Sequence, residues 1–382
     1  AQPAGGRRID GRNRRMKILH TEASCGWGGQ EIRILTEARG LIGRGHGVEL
    51  VCPAEAQIFA AAPDYGVPVR ALPIGRKNLR GLFALRDFLK QQRFDVVNTH
   101  SSTDSWLAAL ACRTFADAPP VVRTRHLSTP VNQGRATRWL YEQGCAHVVV
   151  TGEALKKQLV ADNGFAADHM TSVPTGIDTS RFSPRDRDAV RTALGLPAAA
   201  VYVGILATLR DWKGHTVLFD ALSQLLPARP NLRLLVIGDG PYRDRLDTRA
   251  AALGITGHID FVGHRSDAEQ WLAAVDVFAL PSWGDEGVSQ ALMQAMACAL
   301  PIVTTPVGSL TEVIHDGKTG LIVPPRDAVA LAAAIGRLLD QPQLAARLGQ
   351  AARQLAEERC GEALMLDRME AIFRRFGRPG AA

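Results

Sequence analysis

The sequence predicts an α/β protein made of two doubly wound parallel sheets, each in a domain of its own. Its 382 residues are too many for one ordinary domain and about right for two. Short β-rich segments alternate with longer helical ones along the whole chain, which is typical of parallel sheets. The composition, with 46% hydrophobic and 22% charged residues, is that of a globular protein with sizeable cores.

The first series of elements lies before residue 179. Strands are predicted at 17–21, 48–53, 67–72, 95–100, 120–126, 147–152 and 170–174. Helical patterns lie between the strands at 29–42, 79–92 and 103–114. In the first of these helices Leu35, Ala38 and Ile42 share one face, as the helical period requires.

The second series follows the loop-like stretch TSRFSPRDRD, residues 179–188. Strands are predicted at 201–208, 232–240, 258–263, 277–282, 301–305 and 320–324, with helices at 214–226, 241–253, 289–298 and 327–339. A terminal helix, 362–376, carries large apolar residues at helical spacing and is predicted to pack rather than to bind a ligand. These residues are Met365, Met369, Ile372, Phe373 and Phe376.

The predicted domains follow from this order of elements. Residues 1–15 form a disordered basic extension, 16–178 the N-terminal domain and 179–361 the C-terminal domain, with helix 362–376 packing back on the N-terminal one. The extension has five arginines and one aspartate, so it carries most of the net charge of +7. Since no stacking aromatic residues accompany these arginines, we expect no nucleic-acid partner.

Composition and cysteine placement restrict the class and the compartment. No apolar run reaches the roughly 18–20 residues that a membrane span needs, and residues 1–15 have no apolar signal core. The six cysteines are scattered without paired spacing, which favours a reducing cytoplasm and argues against a zinc or disulfide framework. We expect a cytoplasmic protein.

Three segments at predicted strand ends could carry chemistry. Cys25–Glu31 is glycine-rich and opens a helix, so it predicts either an anion-binding turn or a plain tight turn. Arg210–His215 places two cations after a strand, which suits a diphosphate but also a solvated loop. Pro281–Ala297 joins a buried strand to a helix through a polar turn. Glu286 in that turn could accept hydrogen bonds from sugar hydroxyls or simply cap the helix.

These three segments, in this order and in two tandem α/β halves, resemble the retaining glycosyltransferases of family 4. The most specific stretches are Glu286–Ser289, Met296–Thr305, Val307–Ile314 and Asp316–Asp327, and Val173–Asp178 resembles the segment between the two domains. The resemblance covers nearly the whole chain from Met16. It implies the GT-B fold, in which two Rossmann-like domains face each other across a cleft.

The resemblance also implies a role for each site residue. Lys213, with Arg210, would hold the diphosphate of a UDP- or GDP-linked sugar, and Glu286 would bind hydroxyls of the donor sugar. The amides of Gly287, Val288 and Ser289 would contact sugar and phosphate, Gln294 would bind the ribose, and Gly28 and Gly29 would face the diphosphate. His126 would lie near the reacting centre and His100 near the acceptor, although packed histidines are the alternative for both.

Three positions depart from the family pattern. Gln294 replaces a glutamate, so it keeps hydroxyl bonding but loses the charge assistance. The usual arginine position is Thr208, and we expect Arg210 to substitute for it. Ala299 replaces a glycine, which has no cost if Ala299 is in the right-handed helical region.

The implied reaction is transfer with retention, by front-face attack, because no second carboxylate is apparent for a covalent intermediate. No metal and no other cofactor is expected, since Arg210 and Lys213 would stabilise the leaving phosphate. Two alternatives remain open: a sugar-nucleotide epimerase of the same fold, and a sugar-nucleotide-binding protein that has lost catalysis.

The acceptor is expected to be a glycan or a lipid-linked glycan of the cell envelope, such as lipopolysaccharide or a glycolipid. The segment 75–93 combines Leu82, Phe83, Leu85, Phe88 and Leu89 with six cations. It predicts a half-buried helix with a solvated basic face. The alternative is contact with an anionic membrane surface, which would make the protein peripheral on the inner face of the cytoplasmic membrane.

Overall fold

The computed structural model describes residues 14–126, 129–284 and 286–378, which divide into two compact units. The first unit contains the described residues up to Arg125, residues 134–148 and the described residues from Arg368 onward. The second contains the described residues within His126–Gln133 and Val149–Asp367. Most of the predicted extension, residues 1–13, lies outside the described residues. Arg14, which is described, contacts Asp95 at 3.4 Å.

The first sheet is built from the seven strands β1 (Lys17–Thr21), β2 (Gly47–Cys52), β3 (Val69–Ala71), β4 (Val96–Thr99), β5 (Val121–Arg125), β6 (His147–Val150) and β7 (Met170–Ser172). The helices between them are α1 (Gly29–Gly43), α2 (Gln57–Ala61), α3 (Leu79–Gln92), α4 (Ser102–Cys112), α5 (Arg135–Trp139) and α6 (Glu153–Asn163). The strand order is β3-β2-β1-β4-β5-β6-β7, and β1 pairs in parallel with both β2 and β4.

The second sheet is built from β8 (Val201–Leu206), β9 (Leu232–Ile237), β10 (Ile259–Gly263), β11 (Val277–Leu280), β12 (Ile302–Thr304) and β13 (Leu321–Ile322). Its helices are α7 (Arg187–Ala193), α8 (His215–Leu225), α9 (Arg243–Ala252), α10 (Ala268–Ala273), α11 (Gln290–Ala297), α12 (Ala328–Asp340) and α13 (Pro342–Arg359). The order is β10-β9-β8-β11-β12-β13, with parallel pairing throughout. α14 (Glu362–Phe376) ends the fold.

Local sequence explains where the helices next to the strand ends begin. Asn78 caps α3 by accepting a hydrogen bond from the Gly81 amide at 2.8 Å, and α4 opens with a capping box between Ser101 and Asp104. Gly214 precedes α8 at φ +77°, where a Cβ atom would lie 2.0 Å from the Pro281 carbonyl oxygen. A glycine is therefore required at this junction.

Ala299 is not in the right-handed region that the sequence analysis required for a cost-free replacement of glycine. Its φ is +56°, because it follows α11 in a Schellman motif. The Ala299 amide bonds to the Met296 carbonyl at 2.9 Å and the Leu300 amide to that of Ala295 at 3.1 Å. This motif places its C′ residue in the left-handed region, where a side chain is strained.

α14 packs along its apolar face, as its spacing predicts. Met365, Met369, Ile372 and Phe373 are buried, and the Phe376 ring stacks on His147 with centroids 4.3 Å apart. The residues of α14 from Arg368 onward belong to the first unit, where the Arg33 guanidinium contacts the Met369 sulfur at 3.8 Å.

The division between the units lies earlier in the chain than the predicted boundary after Asp178. It falls within β6, after Val148, because the segment that follows β6 packs against the loop after β12. The carboxylate of Glu312 accepts hydrogen bonds from the amides of Glu153 and Ala154.

Among the helices of the described residues, none is long and apolar enough to cross a bilayer.

Candidate active site

The strand order of the second sheet marks where a ligand would bind. β8 and β11 are neighbours although β9 and β10 intervene in the chain. Ligands of doubly wound sheets bind outside the carboxyl ends of the strands, at the point where the order reverses. Lys213 follows β8, Glu286 follows β11 and Ser309 follows β12. The residues that the sequence analysis selected in this half therefore lie at the switch point.

Lys213 and Glu286 form an ion pair at the centre of this edge. The Lys213 Nζ atom is 2.6 Å from Glu286 Oε1, and the side chains are 19% and 7% exposed. The Ser282 hydroxyl donates a second hydrogen bond to the same oxygen at 2.7 Å. A buried carboxylate is stable only when it is paired and hydrogen-bonded, and Lys213 and Ser282 meet that requirement here.

Two backbone contacts hold Glu286 in place. Its carbonyl oxygen accepts a hydrogen bond from the Ser309 amide at 2.9 Å. Gly308, at φ +55°, lies so close that a Cβ atom would be 2.0 Å from this oxygen. The loop after β12 therefore supports the loop after β11, and only glycine fits at position 308.

The loop after β8 is tied to the same region through two tryptophans. The Trp283 amide donates to the Trp212 carbonyl at 2.8 Å, and the Arg210 guanidinium lies over the Trp212 ring, 5.2 Å from its centroid. Arg210 is exposed, as is Thr208. The structure thus places Arg210 on the same loop as Lys213, with its side chain stacked on an indole.

The start of α11 presents backbone amides beside Glu286. Ser289 is the N-cap residue, and its hydroxyl lies 3.5 Å from the Leu292 amide. Val288 is buried and packs in the core, while Gln294 is half-buried one turn after Gln290. The positive end of the helix dipole and the amides that point along the helix axis make a helix N-terminus favourable for an anionic ligand.

His126 belongs to the second unit and lies close to the turn between β11 and α11. Its carbonyl oxygen accepts a hydrogen bond from the Thr151 hydroxyl at 3.4 Å. A Cβ atom at Gly287 would be 3.2 Å from that hydroxyl and 3.7 Å from the His126 carbonyl oxygen. The structure therefore brings the backbone of His126 next to the residue after Glu286.

Sequence reasoning missed three contributors to this site: Ser282, Trp212 and His215. Ser282 could have been found from its spacing, four residues before Glu286. His215 is buried at the start of α8, and burial, with a smaller effect from the Lys213 charge, lowers its pKa to about 3. It is therefore a neutral imidazole beside the ion pair at neutral pH.

The predicted residues of the first unit lie at the corresponding edge of the first sheet, where β1 and β4 are neighbours. Gly28 is the N-cap residue of α1, and Gly29 begins this helix. His100 follows β4 and is buried, with Nε2 2.9 Å from His20 Nδ1. The alternative of a packed histidine thus describes His100 better than an acceptor contact does.

A buried polar network surrounds this histidine pair. The carboxylate of Asp104 accepts hydrogen bonds from the Thr21 hydroxyl at 2.7 Å and the His100 amide at 2.9 Å. Burial, with the Arg33 charge, lowers the pKa of His20 to about 3. Burial, with the nearby Asp104 carboxylate, raises the pKa of Glu22 to about 8. The network joins the carboxyl end of β1 to that of β4, near the glycine-rich turn Cys25–Glu31.

Comparisons with known proteins extend this description to the family. Residues 27–181 match the family model of Glycosyltransferase Family 4, and residues 186–355 match that of Glycosyl transferases group 1. The chain is similar to a phosphatidyl-myo-inositol mannosyltransferase of Mycobacterium leprae, with 30% identity over 82% of this chain and 84% of the relative. It is also similar to a D-inositol 3-phosphate glycosyltransferase of Stackebrandtia nassauensis, with 29% identity over 85% and 82%.

Further matches cover part of a relative or the fold alone. A lipopolysaccharide core biosynthesis mannosyltransferase, LpsB of Rhizobium meliloti, is 35% identical over 49% of this chain and 57% of the relative. The crystal structure of Anabaena HepE in complex with UDP aligns with a TM-score of 0.84 and 22% identity, covering 94% of this chain and 100% of that chain. A glycosyltransferase of Rickettsia africae aligns with a TM-score of 0.84 and 20% identity, covering 95% and 98%. The chain therefore belongs to glycosyltransferase family 4 and has the GT-B fold.

Proposed function

We propose that this glycosyltransferase moves a sugar from a UDP- or GDP-linked donor to an acceptor hydroxyl with retention at the anomeric carbon. The observation that carries the proposal is the buried Lys213–Glu286 ion pair at the switch point of the second sheet. A cation for a diphosphate and a carboxylate for sugar hydroxyls lie side by side there, as a sugar nucleotide requires. The complex of HepE with UDP, on the same fold, supports a nucleotide donor.

Donor binding would exchange the partners of this pair. The Lys213 ammonium turns from Glu286 to a phosphate oxygen, and the carboxylate then accepts hydrogen bonds from hydroxyls of the donor sugar. Arg210 adds a second cation from the same loop, and the amides of Gly287 to Ser289 lie at the start of α11. Gln294, half-buried on the same helix, hydrogen-bonds the ribose.

The proposed transfer is a front-face displacement. The bond between the anomeric carbon and the phosphate oxygen breaks as the acceptor oxygen bonds to the same face of that carbon. The acceptor proton passes to the leaving phosphate, and the products are the glycosylated acceptor and the nucleoside diphosphate. Arg210, Lys213 and the amides of Gly287 to Ser289 stabilise the diphosphate as its charge grows. The site residues need no metal for this step.

We propose that the acceptor is a glycan or a lipid-linked glycan of the cell envelope. Support comes from two relatives whose names give such acceptors, the phosphatidyl-myo-inositol and the lipopolysaccharide core mannosyltransferases. His126, whose backbone lies beside Gly287, then lies near the reacting centre.

The first experiment is a thermal-stability screen of UDP-glucose, UDP-galactose and GDP-mannose, since a ligand of the native state raises its stability. The nucleotide that binds is then incubated with acceptor fractions, and transfer is followed for wild type and Glu286→Ala. We expect transfer in wild type alone, with donor binding retained in the variant. A change of the sugar without acceptor would identify an epimerase. Binding without transfer or nucleotide release would identify a protein that has lost catalysis.

We propose in addition that the N-terminal end of α3 contacts an anionic membrane surface. The helix is half-buried, with Leu85, Phe88 and Leu89 in the core. This agrees with the half-buried helix that the sequence of segment 75–93 predicts. Its outer face also exposes Leu79 and Phe83, at 69% and 52%. Arg76, Lys77 and Arg80 beside them are exposed. Exposed apolar side chains among cations suit an anionic lipid surface.

Sedimentation with liposomes tests this surface. At low salt we expect wild type to bind vesicles containing anionic lipid, and the variant L79S/F83S to bind about 10-fold less. V329S, which alters an equally exposed residue of the second unit, is the matched control. Equal binding by wild type and L79S/F83S would exclude α3 as the contact.

A further inference from the structure

We propose that Glu312 is a positioning residue for the reaction, an inference that rests on the proposed function. Its carboxylate fixes the turn between β6 and α6 against the loop after β12, which in turn contacts the loop that carries Glu286 and Gly287. It is separated by 159 positions in the chain from the helix that it caps.

The first observation is the way in which α6 begins. The N-cap residue is Gly152, which has no side chain to cap the helix. Glu312 Oε2 accepts a hydrogen bond from the Glu153 amide at 2.9 Å, and Oε1 accepts one from the Ala154 amide at 2.8 Å. An anionic group with two bonds at a helix N-terminus satisfies the orphan amides and opposes the helix dipole. The start of α6 therefore depends on a remote residue.

The second observation is the close packing between this turn and the loop after β12. A Cβ atom at Gly152 would lie 2.3 Å from the Ser309 hydroxyl oxygen and 3.1 Å from Glu312 Oε1. Ser309 is itself buried, and its amide bonds to the Glu286 carbonyl. One short segment, Gly308–Glu312, thus contacts Glu286 with its first residues and α6 with its last.

The third observation is what the turn carries. Thr151 is buried, and its hydroxyl donates to the His126 carbonyl at 3.4 Å. The same hydroxyl lies against Gly287. When Glu312 holds α6, it also holds Thr151 and the backbone of His126 beside the residue that follows Glu286.

These contacts predict which kinetic constant changes. The donor cations and Glu286 keep their own contacts without Glu312, so donor binding is retained. What changes is the position of Thr151 and of the His126 backbone relative to the donor sugar. Displacements of about 1 Å at a reacting centre lower rates by up to about 100-fold. We therefore expect a lower kcat with an almost unchanged KM for the donor.

The kinetic experiment measures release of nucleoside diphosphate from the sugar nucleotide that gives the largest thermal shift, with water as acceptor. Glu312→Gln keeps the shape but sets an NH₂ donor against an amide N–H. We expect its kcat to fall about 10-fold and its KM to stay within twofold. Glu312→Asp, which keeps the charge, should be closer to wild type than Glu312→Gln.

The matched control is Asp186→Ala. Asp186 caps α7 and accepts hydrogen bonds from the amides of Asp188 and Ala189, both at 3.1 Å. The neighbouring Arg191 bonds to Asp276, which precedes β11, so α7 lies at the amino edge of the sheet, opposite the site. We expect Asp186→Ala and Glu312→Gln to lower Tm by a similar amount, about 2–4 °C. Asp186→Ala should keep the wild-type kcat. An equal loss of kcat in both variants would show that Glu312 acts through stability alone and would overturn the proposal.

Amide hydrogen exchange gives a readout that does not depend on turnover. In Glu312→Gln we expect faster exchange at Glu153 and Ala154 and also at Thr151 and His126, while Gly287–Ser289 stays as in wild type. Faster exchange confined to α6 would contradict the positioning role. If wild type releases no nucleoside diphosphate from any sugar nucleotide, either with water or with the acceptor fractions, the proposed function fails, and the exchange result alone decides the role of Glu312.

Discussion

At the scale of single residues, the site consists of charges that neutralise each other. Lys213, Glu286 and Ser282 form one hydrogen-bonded group, and the neutral His215 lies next to it. Their burial makes every contact stronger than it would be in water, but it also makes a missing partner costly. The chemistry proposed for this site and the stability of the second unit therefore depend on the same few atoms.

Replacement of Lys213 by methionine should expose this double role. Lys213→Met leaves Glu286 as a buried carboxylate without its cation, which costs about 3 kcal/mol. The double variant K213M/E286Q should recover most of that loss. Urea denaturation measures both. The control is Glu142→Gln at the exposed Arg138–Glu142 pair, where less than about 0.5 kcal/mol is expected. A loss that the double variant does not recover would contradict the coupling.

His215 should make the second unit sensitive to acid. The folded pKa of about 3 lies below the ordinary value of 6.5. The stability that it contributes is therefore full above pH 6.5 and is lost as the pH falls toward 3, because the unfolded chain binds the proton. Between pH 7 and pH 5 this loss is about 2 kcal/mol. We expect His215→Leu to remove it.

The measurement is the free energy of unfolding of wild type and His215→Leu at pH 7 and pH 5. The exposed His264→Gln variant serves as the control and should follow wild type. The pKa of His20 is also about 3, and that of Glu22 is raised to about 8. Both groups titrate alike in wild type and in the variant, so their effects cancel in the difference between the two free energies of unfolding. Parallel pH profiles for wild type and His215→Leu would refute the assignment.

At the scale of elements, the sequence predicts the strands well and the geometry at their ends poorly. All thirteen predicted strands are confirmed, since runs such as Val201–Leu206 are apolar and bounded by turn residues. Within the described ranges, six helices were not predicted. Four of them, α2, α5, α7 and α10, have five to seven residues and give little period to detect, but the longer α6 and α13 were missed as well. The left-handed Ala299 was missed because side-chain type alone does not specify φ.

Ala299 gives a prediction at this scale. Ala299→Gly should raise the free energy of unfolding by about 1 kcal/mol, because glycine has no strain at φ +56°. Ala297→Gly, two residues earlier and inside α11, should lower it by about 1 kcal/mol. Thermal or urea unfolding of the two variants provides the comparison. Destabilisation by both would mean that the Schellman motif does not carry strain.

At the scale of the whole molecule, the family and the fold were predictable and the division into units was not. Motif order from the glycine-rich turn to Asp327 identifies the family, and the comparisons confirm it. The boundary differs because packing decides it: the bonds between Glu312 and α6 join residues that no local pattern relates. α14 starts in the second unit and ends in the first, so its apolar face stabilises a domain far away in sequence.

Phe373 tests that contribution. It is fully buried in the first unit, edge-on to His20 with centroids 6.4 Å apart. Phe373→Ala should cost about 3–4 kcal/mol by removing buried surface and leaving a cavity. Phe83→Ala, at a largely exposed position of α3, should cost less than about 1 kcal/mol. Chemical denaturation followed by a probe of the first unit measures both, and similar losses would argue against packing of α14 there.

The two sheets share one wiring. In each, the first strand lies between the second and the fourth, and the chain then continues outward on the far side. The glycine-rich turn before α1 and the loop of Lys213 therefore occupy equivalent places, as do the residues that follow β4 and β11. A chain built from one topology used twice is modular. Its halves are suited to recombination during evolution, because each has a complete sheet and a switch point of its own.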